Sequence, residues 1–186
     1  MRKLRYSVAS SLDGYIAGPK GEFDWILIDP EIDFEALYAS FGGLVMGRRS
    51  YDVFLGTGGG VGPPMPTYVY SRTLPEGERD GVTFARDAVS HVRHLKASGR
   101  GKPLWLWGGG DLFRELAQAD LVDGVDVAVI PVVLGGGLPL MATPGPRLRL
   151  RLKAHRLYRK TGTLFLEYDV SRKRVPDVEN PAGAPT

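Results

Sequence analysis

The chain contains no cysteine and only three histidines in 186 residues. Disulfides, thiolate nucleophiles and Cys-based zinc or iron–sulfur sites are therefore closed to it. His91 and His94 fall at i and i+3 of an expected helix with no third ligand nearby in sequence, so no metal site is expected. Apolar runs long enough to span a bilayer are missing too. Met1-Arg2-Lys3-Leu4 leads straight into an expected strand without the apolar region of a secretory leader, so the cytosol is the expected compartment. Charge of one sign is scarce: the formal net charge is +3, too small to point to nucleic acid. The basic residues do cluster, with Arg147, Arg149, Arg151 and Lys153 alternating with Leu148, Leu150 and Leu152. This period of two predicts a strand with one basic and one apolar face. Two readings compete, a polyanion contact and a solvated face beside acidic neighbours. No aromatics interleave as they do in single-strand binders, which favours the second. Neither nucleic acid nor membrane is expected as a partner.

What the sequence has is glycine, 25 residues of it, set among short apolar segments. Hydrophobic residues make up 43%, enough for one core, expected over residues 1–170. The polar, proline-containing stretch 171–186 reads as a tail. The most informative segment runs Pro103-Leu104-Trp105-Leu106-Trp107-Gly108-Gly109-Gly110-Asp111-Leu112-Phe113. It reads as a buried strand, three glycines and a helix start. Glycines let backbone approach a ligand, and the first helical N–H groups, at Gly110, Asp111 and Leu112, favour an anion. Asp111 reads as a first-turn acid whose side chain turns aside. Two further segments, Leu44–Tyr51 and Tyr68–Thr73, deliver cationic and hydroxyl residues at strand C-terminal ends. These are Gly47, Arg48, Arg49 and Ser50 in the first, and Ser71, Arg72 and Thr73 in the second. In open sheets with parallel strands, ligands bind at those ends.

Other signals place these segments. Leu4–Ser10, Leu44–Met46, Thr67–Tyr70, Val82–Ala85, Leu104–Trp107 and Val125–Val133 read as strands, and Ile32–Phe41 as a helix. Asp87 reads as the cap of a helix with an inward stripe of Val89, Val92 and Leu95. Gly56–Pro66 reads as a loop, and Arg147–Tyr158 with Leu164–Val170 as a hairpin turning at Lys160–Thr163. Strands alternating with helices predict parallel crossovers, and the hairpin predicts antiparallel strands at one end of a mixed, mostly parallel sheet.

Ser11-Leu12-Asp13-Gly14-Tyr15-Ile16-Ala17, the Gly108–Gly110 triplet, Leu121-Val122-Asp123 and Ile130–Gly137 follow one another in a familiar order. Together they resemble the dihydrofolate reductase superfold, in the branch shared with the reductase domain of riboflavin biosynthesis. The resemblance spans roughly residues 4–170. It implies a sheet flanked by helices and a nicotinamide dinucleotide laid across the strand ends. Gly108, Gly109 and Gly110 would then cradle the pyrophosphate, with Arg48, Arg49 and Ser50 adding charge and N–H groups. Ser71, Arg72 and Thr73 would meet the adenosine side. No acid stands there to hold a free ribose, so NADPH is preferred to NADH. The nicotinamide end would lie near Ala9, Ser10 and Ile16.

The resemblance also implies an NADPH-dependent reductase acting on a small heterocycle, pterin- or pyrimidine-like. The alternatives are the 5-amino-6-(5-phosphoribosylamino)uracil reductase of riboflavin biosynthesis and a non-catalytic dinucleotide-binding module. Glu22-Phe23-Asp24-Trp25-Ile26 departs from the riboflavin reductases' pattern, so the heterocycle stays open. Hydride transfer to C=N or C=O also needs a proton. Asp33 and Glu31, before the Gly47–Arg48 strand, and Asp13 in the first loop are the candidate donors. Each has a plainer reading as a cap or turn residue. Tyr15, Trp25 and Tyr51 are candidates to line an aromatic slot. A homodimer is the expected assembly, implied by the resemblance and by the apolar stretch Val125–Met141.

Overall fold

The structure, a computed structural model, describes residues 1–56 and 65–172. In chain order the elements are β1 (Leu4–Ser11), β2 (Tyr15–Ala17), α1 (Phe34–Ala39), β3 (Leu44–Gly47), α2 (Arg48–Gly56), β4 (Thr67–Tyr70), β5 (Gly77–Arg79), β6 (Val82–Ala85), α3 (Ala88–Ser98), β7 (Leu104–Gly108), α4 (Gly110–Gln118), β8 (Gly124–Ile130), β9 (Leu138–Pro139), β10 (Leu150–Tyr158) and β11 (Thr163–Val170). Nine strands form one sheet in the order β10-β11-β8-β1-β7-β3-β4-β6-β5, and β2 pairs with β9 in a small separate sheet. The crossovers make the centre parallel: β1 runs with β7 and β8, and β3 with β7 and β4. Antiparallel pairing is confined to the two ends, β8-β11-β10 on one side and β6-β5 on the other.

Alternation along these strands sends two sets of side chains to opposite faces. On one face Leu4, Tyr6, Val45, Leu104 and Leu106 pack with Val92 of α3 and Leu112, Phe113 and Leu116 of α4. Tyr6 and Phe113 stack with ring centroids 4.1 Å apart. The other face is aromatic: Phe41, Leu44, Met46, Val69, Phe84 and Trp105, covered by Leu37 and Tyr38 of α1 and Tyr51 and Phe54 of α2. Each such side chain removed from water contributes roughly 1.5–3 kcal/mol, so neither face is dispensable.

Charges buried in strands and helices were not visible in the hydrophobic pattern. Arg5 of β1 lies against Asp126 of β8, with Nε 2.8 Å from Oδ2, and reaches Asp169 of β11 at 3.1 Å. Gly124 leaves the room, since a Cβ there would stand 2.5 Å from the Arg5 guanidinium carbon. Hydrogen bonding to Asp126 holds the Arg5 guanidinium well above its ordinary value, and burial pushes the Asp126 carboxyl up. Lys96 is 2% exposed and donates from Nζ to Leu121 O and the Asp123 carboxylate. Asp123 also accepts from Leu4 N and Arg172, each at 2.8 Å. The inward stripe expected on α3 is present, with Val92 fully buried and Val89 and Leu95 partly buried against the core, and Ala88 and Lys96 join Val92 as fully buried positions.

Several expected boundaries move for local reasons. The strand expected to reach Val133 ends at Ile130, because Pro131 has no N–H to continue the ladder. The helix expected over Ile32–Phe41 is shorter, since the Asp33 carboxylate accepts from Ala36 N at 2.9 Å and caps it. The strand expected from Arg147 begins at Leu150, opposite Val170 where β11 ends. Its basic side chains face acids on the neighbouring strand, Arg151 with Asp169 at 3.2 Å and Lys153 with Glu167 at 2.9 Å. That is the solvated-face reading. Residues 57–64 of the expected glycine-rich loop and 173–186 of the expected tail lie outside the described residues. Among the described residues no helix is long and apolar enough to cross a membrane, and no three His, Asp or Glu side chains gather as a metal site.

Candidate dinucleotide and substrate site

The three glycine- and arginine-bearing segments come together because their strands are neighbours in register. Gly47 of β3 lies opposite Tyr70 of β4, and Met46 opposite Gly108 of β7. The chain thus leaves the sheet at one edge three times, at Gly108–Gly110, Gly47–Ser50 and Ser71–Thr73. Gly109 is the N-cap of α4 and supplies no side-chain acceptor to the first turn. The amides at the start of that helix are the donors an anion seeks. The Gly108–Gly109 peptide is cis. A Cβ on Gly108 would stand 3.0 Å from Ser50 Oγ, which puts the first hydroxyl of α2 beside the glycine turn.

The predicted ligands divide by what each has left to offer. Leu112 is buried in the core, so only its backbone can serve a ligand. Asp111 is exposed, and its carboxylate is 3.6 Å from Arg114, turned along the helix as expected. Arg48 is bound at 2.7 Å to Asp52 one turn on. Arg49 and Arg72 are exposed and form no ion pair among the described residues. Ser71 is already committed: its Oγ accepts from Thr73 N at 3.2 Å and Leu74 N at 3.0 Å, so it builds the turn that presents Arg72. Thr73 Oγ1 lies 3.3 Å from that same hydroxyl.

On the aromatic face, the rows crossing β1, β8 and β11 change character. Ala9 lies opposite Ala128, and Ala128 opposite Phe165. Ala9 and Ala128 are only partly buried, so two methyl groups form an open floor beside the aromatic cluster. Ser10 points to the other face; it is buried and donates to Ser11 O at 2.9 Å. Ile16 stands in β2, half-buried above the end of β1. Of the aromatics expected to line a slot, Tyr51 belongs to the covered cluster, meeting Phe84 edge-on with centroids 5.6 Å apart. Trp25 sits in the loop and donates from Nε1 to Glu22 O at 3.1 Å. Tyr15 pairs with Pro139 in the small sheet.

The three candidate proton donors have separate surroundings. Asp33 caps α1 and is exposed. Glu31 faces Arg156 of β10 at 3.6 Å, and Arg156 lies opposite Phe165, in the row that begins at Ala9. Asp13 accepts from Ser11 Oγ at 2.6 Å, Leu134 N at 3.1 Å and Gly135 N at 2.8 Å. The Ser11 hydroxyl first, then those two amides, hold its carboxyl below the ordinary carboxylate range. A carboxylate so held is a poor acid near neutral pH. Sequence reasoning passed over Asp29, which is fully buried and accepts from Glu31 N, Thr161 N and Thr161 Oγ1 at 2.9–3.0 Å. It ties the loop carrying Glu31 to the tip of the β10–β11 hairpin. The Asp-Pro pair at 29–30 was the only signal for it.

A sheet of this topology, with glycine, arginine and hydroxyl residues at adjacent strand ends, defines the dihydrofolate reductase fold. The chain belongs to the RibD C-terminal domain family, whose model matches residues 2–163. It is 28% identical over 186 residues to YyaP of Bacillus subtilis (strain 168), covering 90% of this chain and 94% of that one. Its structure resembles that of a putative riboflavin biosynthesis protein from Shewanella sp. PV-4, with a TM-score of 0.77 and 28% identity. That alignment covers 92% of this chain and 100% of the other. Dihydrofolate reductase from Enterococcus faecalis, solved as a complex with NADP(H) and RAB-propyl, shares the fold at a TM-score of 0.65 and 19% identity. The match spans 90% of this chain and 96% of the reductase.

Proposed function

We propose that the chain is an NADPH-dependent reductase of a small pterin- or pyrimidine-like heterocycle. The observation that carries this reading is the junction of β7 and α4. There a glycine N-cap leaves the first helical amides to a ligand, beside Ser50 and next to the ends of β3 and β4. The residues present suit a dinucleotide with two phosphate positions. The amides of Gly110, Asp111 and Leu112, with Ser50 and Arg49, would hold the diphosphate. Arg72, exposed on the turn that Ser71 builds, would hold the 2′-phosphate. Ala9 and Ile16 would border the nicotinamide, and the floor of Ala9 and Ala128 leaves room for a flat ring.

When bound, the reduced nicotinamide supplies the hydride. The chain must then orient the acceptor ring and deliver a proton. Asp33 and Glu31 carry the proton-donor proposal, directly or through one water: Asp33 accepts one hydrogen bond and Glu31 faces one cation at 3.6 Å, whereas the Asp13 carboxylate accepts three hydrogen bonds. The phosphoribosylated aminouracil, the substrate named for a structurally similar reductase of Thermotoga maritima, is the first substrate to test. The test is direct titration of NADPH and NADH by fluorescence or calorimetry, followed by turnover. Saturable NADPH binding with turnover supports the reading. Binding without turnover on any pterin or pyrimidine supports the non-catalytic module. No binding at millimolar NADPH overturns both.

The proposal includes a cytosolic homodimer. Beyond the helices, the apolar face of the sheet continues across β11 and β10 in paired rows, Leu150 with Val170, Leu152 with Tyr168 and Leu157 with Leu164. Leu150, Leu152 and Leu157 are 42%, 50% and 50% exposed, while the charged side chains of the opposite face are paired. A face of this kind, two-fold related to itself, is what a closed dimer needs.

A further inference from the structure

We propose that Asp13 is a positioning residue that couples the two ends of the dinucleotide site through the segment Val132–Ala142. This rests on the dinucleotide reading above. The segment touches both ends by backbone hydrogen bonds. At its start, Leu12 N donates to Val132 O at 2.8 Å, and the Asp13 carboxylate accepts from Leu134 N and Gly135 N. Asp13 also receives the Ser11 hydroxyl, which in turn accepts from Tyr15 N at 2.9 Å. One carboxylate thus fixes the start of β2, where Ile16 stands, to the loop after β8. Further along, β9 pairs with β2, and Leu140 N donates to Gly14 O at 2.9 Å. The Tyr6 hydroxyl donates to Leu140 O at 3.0 Å from the buried core, anchoring the same residue from beneath. At its far end Ala142 N donates to Gly110 O at 3.2 Å, inside the first turn of α4.

The packing along this path is close. A Cβ on Gly110 would stand 2.5 Å from Pro139 O and 3.3 Å from both Leu140 O and Ala142 N. A shift of the segment therefore moves the α4 start or is stopped by it. Asp13 is exposed, and its bonds to Leu134 and Gly135 span more than 120 residues of chain. A plain turn residue needs no such partners. A loop held in place before the ligand arrives lowers the ordering cost of binding. Only a ligand long enough to reach both ends benefits from this particular coupling.

The experiment uses the full chain and the variants Asp13→Asn, Asp13→Ala and Ser11→Ala. Two ligands are titrated: NADPH, which spans both ends, and 2′,5′-ADP, which occupies only the adenosine half. Asp13→Asn is expected to weaken NADPH about tenfold while 2′,5′-ADP stays within about twofold. Asp13→Ala should lose more, and Ser11→Ala less, because it frees Tyr15 N but leaves the amides of Leu134 and Gly135 bound. Hydrogen–deuterium exchange without ligand is the second readout. Asp13→Asn should speed exchange at Tyr15, Leu134 and Gly135 and also at Leu140 and Ala142. Equal weakening of both ligands, or unchanged exchange at Leu140 and Ala142, overturns the coupling. If the parent chain binds neither ligand, the dinucleotide reading falls, and the exchange result alone decides whether Asp13 couples β2 to the start of α4.

Discussion

Gly109 and Gly110 are adjacent in sequence but should fail differently when a side chain is added. A Cβ on Gly109 meets only Ser50 Oγ, at 3.5 Å, which is ordinary contact. Its φ of −101° is open to any residue. The Cβ itself fits, so Gly109→Val should cost about 1 kcal/mol for the loss of a glycine N-cap, a fall in Tm of about 2–4 °C for a chain this long. The branched side chain would still obstruct the approach of a diphosphate, and NADPH should weaken at least about tenfold, equivalent to about 1.4 kcal/mol. Gly110→Ala reverses the pattern. Its methyl group would press on Pro139 O at 2.5 Å, an atom of backbone that cannot swing away. Overpacking of this kind costs about 1–3 kcal/mol, so a Tm lower by about 4–8 °C is expected at the middle of that range. Differential scanning fluorimetry with and without NADPH reads both effects. If Gly109→Val binds NADPH as well as the parent, the diphosphate does not lie over that glycine; if it melts early, the space argued for its side chain is not there.

Arg72→Ala should weaken NADPH about ten- to hundredfold and leave NADH nearly unchanged, since only the former carries the 2′-phosphate; equal losses in paired titrations would remove Arg72 from that role. Lys96→Met should lower stability in urea by about 3 kcal/mol, because Asp123 is left half-buried with a cation removed; an unchanged midpoint would show that Arg172 and Leu4 N suffice. Asp13 has a lowered carboxyl value in the folded chain, so its stabilisation is present at neutral pH and is lost as pH falls through that folded value, below the ordinary carboxylate range. Asp13→Asn should accordingly flatten the acid limb of a Tm–pH curve, and parallel curves would refute the linkage. Light scattering should give about 40 kDa for the 20.3 kDa chain, and Leu152→Glu on the open apolar face should give a monomer; a parent mass near 20 kDa would refute the dimer.

The fold was legible where hydrophobic period and capping agree. The apolar run Leu104–Trp107 before Gly108, the Asp87 cap and the Asp33 cap all stand as the residue types require. The site was legible to the extent that strand ends are. Parallel pairing turns three separate glycine- and arginine-bearing segments into one edge, and the pairing follows from alternation of strands and helices. What could not be read has a common cause: its partners are distant in sequence. Arg5 in the first strand looks like a charge misplaced in an apolar run until Asp126 and Asp169 lie beside it. Lys96 looks like an ordinary last-turn cation until Leu121 O and Asp123 close over it. β5 is three exposed residues, Gly77-Glu78-Arg79, with no pattern to find. Leu150 and Leu152 promise a core by alternation, but β10 is the last strand of the sheet, where one side of every pair is missing. The part played by Asp13 was hidden in the same way, since the Asp-Gly signal of a turn gives no hint of the amides at 134 and 135.

The place of β1 in the sheet also sets a clock for synthesis. Its two neighbours are β7 and β8, so Leu4 meets Leu104 and Arg5 meets Gly124. This strand is therefore without a partner until the chain has been extended by about a hundred residues beyond it. At about 5–20 residues per second, the wait for the residues facing Arg5 is roughly 6–24 s. During that interval the βαβ unit from Leu44 to Tyr70 can already pair, while a strand containing Leu4, Tyr6 and Val8 remains a free edge. The charge on Arg5 then has a second consequence. Before Asp126 arrives, an unpaired guanidinium within an apolar strand discourages that edge from joining another copy of itself.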